Sequence, residues 1–320
     1  MACHNSSAYL DEAVRSVLCQ TLRELELILI DDCSTDDTLE IARRYQAQDD
    51  RVSIITLSVQ SGAAAARNAG IQTARGAWLG ILDSDDVALP SRFAEQLDLA
   101  ERDKDLVVIG SNLISIDSSG VRISEYRYPT GHKALIKRLY SKRAFPPHSS
   151  MLYRRDAIKV LEAFNPRYLR SEDYDLWLRL SEIGRIASID NPLVKIRRHD
   201  KSISHTEGGR LHMKFAIAGI VCHFLRTQGF YDPSVSQDEA LWQEFLNWTE
   251  RRLIEKGFLD RWKEWMEARS LFFSSENRVV GALRFSIQLL NSGHVLEILK
   301  EKCLGSSVPR RLAQEWMERL

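Results

Sequence analysis

A doubly wound α/β layer with a mostly parallel sheet, followed by a helical C-terminal region, is the fold that this 320-residue sequence predicts. Three observations carry the expectation. Short apolar runs recur through the first half of the chain, at Leu25 to Ile30, Val52 to Leu57, Ala77 to Leu82 and from Leu106 to Ile109. Near-continuous apolar strands imply burial on both faces, as in a parallel sheet covered by helices. Helical patterns separate these runs, and such alternation is the signature of an α/β layer. From about Glu207 the pattern turns wholly helical, which divides the chain into residues 1–206 and 207–320.

The helices follow in order. Tyr9 to Gln20 carries Leu10, Ala13, Val14, Val17 and Leu18 at helical spacing. Thr35 to Tyr45 opens on Asp and Thr residues of the kind that cap helices, with Ser34 or Thr35 as the expected cap. Ala63 to Ala74 is alanine-rich, and Pro90 suits the first turn of a helix running to Leu99. Arg143 to Tyr153 holds the loop signal Pro146-Pro147-His148. Ser171 to Glu182 reads as a capped helix, and Ile186 to Ile196 as strand with a turn at Asn191-Pro192. The N-terminus departs from this order. A doubly wound sheet opens with a strand, and Met1-Ala2-Cys3-His4 is too short for one. The expectation is therefore a truncated first strand, with an upstream reading frame supplying the rest.

Composition narrows the function classes. Lysine plus arginine and aspartate plus glutamate number 44 each, so nothing asks for nucleic acid. The five cysteines, Cys3, Cys19, Cys33, Cys222 and Cys303, form no CxxC pair, which fits reduced thiols in a cytosol. No run approaches the roughly 20 apolar residues of a membrane span. The expected location is cytoplasmic, at most peripheral on the inner face of the cell membrane. Trp242, Trp248, Trp262, Trp265 and Trp316 all lie in the last third. They read either as an acceptor platform or membrane-facing surface, or as aromatics buried in a helical appendage, the commoner use of such side chains.

Five motifs can carry chemistry. Asp83-Ser84-Asp85-Asp86 follows an apolar strand, where ligands bind in open α/β sheets. Clustered carboxylates repel unless a cation or donors offset them, and oxygen ligands of this kind suit Mg²⁺ or Mn²⁺ bridging to a diphosphate. The alternative is a solvated turn capping the helix at Pro90. Ile30-Asp31-Asp32 is a second strand ending in carboxylates, and an Asp there can accept the imide N–H of a uracil ring. Gly62 to Gly70 is a small-residue stretch permitting close approach to a ligand or a neighbouring strand, and its Arg67 asks for an anionic or polar partner. Glu172-Asp173 lies in a first helical turn, which the helix dipole alone would explain. Functionally, Asp173 reads as a general base. Arg197-Arg198-His199 offers two guanidiniums and an imidazole for a diphosphate or a metal.

In order and spacing, these motifs resemble family 2 glycosyltransferases with the GT-A fold. The resemblance runs from Asn5 to Ser204 and is carried by Tyr9-Leu10, Ser16 to Thr21, Ile30 to Thr38, Ala66-Arg67-Asn68-Ala69-Gly70, Leu82 to Asp86, Glu172-Asp173 and Arg198-His199. It implies an inverting, metal-dependent transferase. It implies a nucleotide-sugar donor, UDP first with GDP or dTDP open, and a glycan or glycolipid acceptor of the kind found in a growing bacterial surface polysaccharide. By position it implies a base contact at Asp32, ribose at Asp83, a divalent metal at Asp85 or Asp86, a catalytic base at Asp173, nucleotide contact at Arg67, and a metal or diphosphate contact at His199. Ser84 and Arg198 join the donor-binding set. Where the family usually has Tyr or Phe against the base, before the residue matching Asn5, this chain has His4. Two rivals remain: a non-catalytic nucleotide-sugar-binding protein, if the missing strand abolishes donor binding, and a sugar nucleotidyltransferase, whose expected glycine-rich N-terminal loop is missing from this sequence.

Overall fold

The computed structural model describes residues 1–141, 144–199, 208–255 and 307–319. The chain divides into two compact units, one of Met1–Leu139 with Ala144–Thr206 and one of Tyr140–Arg143 with Glu207–Leu320.

The first unit holds two sheets. In one, β1 (Ala2–Cys3), β2 (Leu27–Asp31) and β3 (Val52–Thr56) pair in that order, all parallel. Every residue of β2 is buried, as its unbroken apolar run requires. The truncated first strand expected from the sequence is β1, in which Ala2 and Cys3 register against Ile30 and Asp31, and the flanking bonds Ile30 N–H to Met1 O and Asp32 N–H to Cys3 O extend the ladder.

The second sheet is mixed, in the order β4 (Trp78–Gly80), β8 (Leu152–Arg154), β6 (Leu106–Ile116), β9 (Arg185–Arg197), β5 (Val87–Ala88), with β7 (Arg122–Tyr126) also on β6. The Ala77–Leu82 run thus ends up antiparallel to β8. An apolar run reports burial on two faces but not the direction of its neighbour. The longest pairing, β6 with β9, is parallel. At Asn191-Pro192 there is no chain reversal. The β6–β9 register skips from Ile189 to Pro192 while β6 advances by one residue, a bulge braced by Asn112 Nδ2 donating to Asp190 Oδ1 at 3.0 Å.

Among the described residues, the helices that belong mainly to this unit are α1 (Leu10–Leu18), α2 (Thr38–Gln48), α3 (Ala63–Thr73), α4 (Arg92–Arg102), α5 (His132–Tyr140), α6 (Arg155–Val160) and α7 (Glu172–Ile183). Leu10, Ala13, Val14 and Val17 are the buried face of α1, as their spacing predicts. Helix α3 lies close on β2, since a Cβ at Gly70 would stand 2.8 Å from Ile30 Cδ1. The close approach is therefore to a strand. Helix α2 starts at Thr38, later than expected, and Asp36 accepts from the Thr38 backbone N–H at 3.0 Å. Ser34 and Thr35 bind Asn5 in place of capping the helix.

In the second unit, α8 (Gly208–Thr227), α9 (Glu239–Glu255) and α10 (Ser307–Met317) bury Trp242, Trp248 and Trp316. Phe245 and Trp248 each lie 5.0 Å from the Trp316 ring. These three tryptophans therefore form core. Trp262 and Trp265 fall outside the described residues. Among the described residues no helix is long and apolar enough to cross a membrane, and Cys3, Cys19, Cys33 and Cys222 are free thiols.

Candidate functional site

The carboxyl ends of β2 and β4, the start of α3, the start of α7 and the end of β9 supply the residues singled out from the sequence. After β2, both oxygens of Asp32 accept backbone N–H groups, Oδ1 from Ser61 at 2.7 Å and Oδ2 from Gly62 at 2.8 Å. Gly62 is the α3 N-cap at φ 84°, a conformation a side chain would resist. His4 sits exposed at the mouth of this region. Its Nδ1 lies 2.8 Å from the Asp32 carbonyl, so Nδ1 carries the proton and Nε2 is the acceptor facing Gln60 at 3.2 Å. Asn5, at φ 49°, accepts from the Thr35 backbone N–H at 2.8 Å.

Arg67 joins two motifs that lie far apart in sequence. It donates to Asp83 Oδ1 at 2.9 Å and to Glu172 Oε1 at 2.8 Å, with only 11% of its side chain exposed. Burial is the largest influence on Asp83 and opposes its charge, but the Arg67 guanidinium, together with His148 and the Ser149 hydroxyl, holds the carboxyl below its usual range. The loop before α7 is tied to the same helix, since Asn68 donates to Phe164 O at 2.7 Å and accepts from Phe164 N–H at 2.9 Å. Helix α7 therefore begins beside the acidic turn, with Asp173 half-buried next to Glu172 and accepting from the Tyr174 backbone N–H at 2.7 Å. Sequence reasoning assigned Glu172 to the helix dipole and missed this partner. The uncompensated Arg67 was the available signal.

The three carboxylates of the acidic turn have different surroundings. Asp83 faces Arg67. Asp85 Oδ2 lies 2.9 Å from His199 Nε2. Asp86 is buried and engaged inside the protein, accepting from the Ser149 hydroxyl at 2.5 Å and the Arg197 backbone N–H at 2.9 Å. Burial, then the charge of Asp83, raises the Asp85 carboxyl, and burial, then Asp85 and Asp83, raises Asp86 well above the usual range. Ser84 Oγ meets Ser6 Oγ at 2.7 Å, linking the turn to the N-terminal loop.

Of the basic trio after β9, Arg197 is corrected. Its Nε holds the Asp85 carbonyl at 2.9 Å, its other nitrogens reach the Asp117 and Ser118 carbonyls and Glu12, and its guanidinium lies 4.6 Å over the Tyr9 ring. That guanidinium holds the protein together and is not presented to a diphosphate. Arg198, half-buried, bonds Ile116 O through its backbone N–H at 2.8 Å. His199 packs on Tyr9, with ring centroids 5.1 Å apart.

Among the described residues no group of three or more His, Cys, Asp or Glu side chains makes a closed metal cage. The pair Asp85 and His199 still fits a divalent ion of the Mg²⁺ or Mn²⁺ kind. Such ions take one or two protein ligands and complete their shell with substrate phosphates and water. An excess of carboxylates held against their own repulsion is the electrostatic setting that a cation relieves.

Comparison with known proteins adds a second line of evidence. The model of the family described as Glycosyl transferase family 2 matches residues 1–161, half of the 320-residue chain. The chain is 29% identical to an uncharacterized glycosyltransferase of Methanocaldococcus jannaschii over 222 residues, covering 68% of this chain and 76% of the relative. It is 33% identical to the O-antigen biosynthesis glycosyltransferase WbnJ of Escherichia coli over 208 residues, 63% of this chain and 79% of the relative. Among solved structures, S. aureus TarS 1–349 in complex with UDP-GlcNAc aligns at a TM-score of 0.59 and 16% identity, covering 99% of this chain and 90% of that one. The mannosyltransferase PcManGT of Pyrobaculum calidifontis, in complex with GDP-Man and Mn²⁺, aligns at 0.54 and 14%, covering 97% and 85%. Likeness at that identity speaks for fold, and the fold is the GT-A type expected from the sequence.

Proposed function

Because this chain belongs to glycosyl transferase family 2, we propose that it moves a sugar from a nucleoside-diphosphate donor, UDP in the first instance, to a hydroxyl of a glycan or glycolipid acceptor with inversion at the anomeric carbon. The observation that carries this reading is the Arg67 bridge, which brings the start of α7 to the acidic turn. A donor pocket and a proton acceptor are then neighbours. Relatives named for O-antigen biosynthesis and chondroitin synthesis support a polysaccharide acceptor.

In this reading His4, Asn5 and Asp32 border the base, Asp83 and Ser84 take the ribose, and Arg67 and Arg198 supply positive charge to the phosphates. Asp85 and His199 would hold the divalent ion, Mn²⁺ or Mg²⁺, which when bound neutralises charge on the diphosphate. The ionised Asp173 accepts the proton of the acceptor hydroxyl. That oxygen bonds to the anomeric carbon from the face opposite the diphosphate, and the carbon–oxygen bond to the diphosphate breaks with its electron pair leaving on the diphosphate. The buried Arg67 holds the Asp83 side of the pocket fixed while this occurs.

The test is a panel of nucleotide sugars screened by thermal shift with Mn²⁺, followed by transfer assays. A ligand at 100 times its dissociation constant stabilises by about 2.7 kcal/mol. Turnover of one donor by the wild type, lost in Asp85→Ala and Asp173→Asn, supports the enzyme. Equal background hydrolysis in all three folded proteins refutes it.

A further inference from the structure

The 3-10 turn His148–Ser150 plays no part in the reading above, yet its middle residue touches the acidic turn twice. Ser149 Oγ accepts from the Asp83 backbone N–H at 3.1 Å and donates to Asp86 Oδ2 at 2.5 Å. Ser149 is 1% exposed and Asp86 4%, so water is a poor substitute for either bond. The other oxygen of Asp86 is held by the Arg197 backbone N–H, and Arg197 Nε holds the carbonyl of Asp85. Within the turn, Asp86 N–H donates to Asp83 O at 3.1 Å. Asp85 is thus the residue whose carboxylate projects from a frame fixed at both sides, and it projects to His199. The position asks for a group that accepts from one N–H and gives a proton to one carboxylate. A hydroxyl does both, whereas a methyl does neither and a thiol does so weakly.

We propose that Ser149 is a positioning residue of the donor site, its hydroxyl setting the acidic turn so that the Asp85 carboxylate meets His199. The functional half of this proposal rests on the reading of Asp85 and His199 as donor-pocket ligands, while the positional half does not. Ser111 marks the contrast. It is equally buried, and its backbone N–H reaches Ser150 Oγ at 3.3 Å, but its hydroxyl donates to Asn112 O at 2.9 Å and not to the acidic turn.

The experiment uses the full chain with Ser149→Ala, Ser149→Cys and Ser111→Ala. The ring ¹⁵N resonances of His199, assigned by their loss in His199→Gln, report the Asp85 pair without any ligand. Calorimetry then measures UDP affinity with and without Mn²⁺. Ser149→Ala should move the His199 resonances and weaken UDP binding in Mn²⁺ by roughly 10-fold or more, the usual consequence of removing an outer partner of a metal ligand. It should weaken metal-free UDP binding by less than the Mn²⁺-dependent binding, because Asp83 and Ser84 of the same turn meet the ribose, and Ser111→Ala should change neither. If the alanine variant does not fold, Ser149→Cys keeps the volume, weakens both bonds, and gives the same pattern in smaller measure. Unmoved His199 resonances in both Ser149 variants overturn the proposal, as does an equal response in Ser111→Ala. Should the wild type bind neither UDP nor GDP with Mn²⁺, the donor reading fails by itself, and the His199 resonances still decide whether Ser149 positions the turn.

Discussion

Arg67 donates to Asp83 at 2.9 Å across a sequence separation of 16 residues, joining the first turns of α3 to the end of β4. Its second nitrogen takes Glu172, 105 residues away. One planar guanidinium therefore sets the distance between the acidic turn and the start of α7. The arrangement uses the fork geometry peculiar to arginine, with separate N–H groups aimed at separate acceptors.

Arg67→Lys keeps the charge and loses the fork. An ammonium is a single point charge without the fork that aims separate N–H groups at the two carboxylates, so the acidic turn and α7 lose their fixed spacing. We expect kcat/KM to fall on the order of 10²-fold, the scale of a misplacement of about 1 Å. Arg67→Ala should in addition lower stability by roughly 1–3 kcal/mol, less than a fully buried pair because Asp83 is 40% exposed. Steady-state kinetics and urea unfolding measure the two effects. Wild-type kinetics in Arg67→Lys would show that the bridge plays no part in turnover.

Asp173→Asn preserves shape and removes the proton acceptor. It should reduce kcat by about 10²- to 10⁴-fold while donor KM stays within a few-fold. A variant that loses donor binding and keeps kcat would instead make Asp173 a donor contact.

The strands that carry the site were legible because apolar runs and the carboxylates ending them are both local patterns. Asp31 closes β2 with Asp32 just after it, as read, whereas β4 stops at Gly80 and Asp83 lies three residues beyond it. What was not legible was non-local. The direction of β4 depends on β8, about 70 residues on, and the pairing of the short β1 depends on backbone bonds to β2. For the same reason Arg67 could be flagged as needing an anion without Glu172 being named. The run His148-Ser149-Ser150 looked like loop, and its burial beside the acidic turn follows only from the pairing of β8 with β4 and β6.

Burial, with a smaller push from the Arg67 charge, drives the His148 imidazole down to about 3 from its usual 6.5. Between those values the unfolded chain binds a proton that the folded protein does not. Stability from this residue is therefore fully present above about pH 6.5 and is lost as pH falls toward 3, with a slope of up to ~1.4 kcal/mol per pH unit. The ring lies among Phe164, Tyr153 and Trp177, so His148→Phe should still pack. Between pH 7 and pH 5 the wild type should lose about 2 kcal/mol more than His148→Phe in urea unfolding. Parallel pH profiles for the two proteins would show that His148 is protonated in the folded state.

Asp85 and Asp86 are adjacent in sequence, and their surroundings predict opposite phenotypes. Asp86→Ala strips a partner from the buried Ser149 hydroxyl and from the Arg197 N–H. Each buried donor left without an acceptor costs about 1–3 kcal/mol, so the melting temperature should drop clearly. Asp85→Ala removes a carboxyl that burial first and the Asp83 charge second hold raised, against which it loses one contact to His199, so stability should stay close to that of the wild type. The functional order is reversed. Asp85→Ala should abolish the Mn²⁺ response of nucleotide binding at an unchanged melting temperature, whereas Asp86→Asn, which keeps an acceptor for one donor, should retain part of it. Calorimetric titration of Mn²⁺ in the presence of UDP, run beside thermal unfolding of the same samples, separates the two. If Asp86→Asn lost the metal response while Asp85→Ala kept it, the ligand within the turn would have to be reassigned to Asp86.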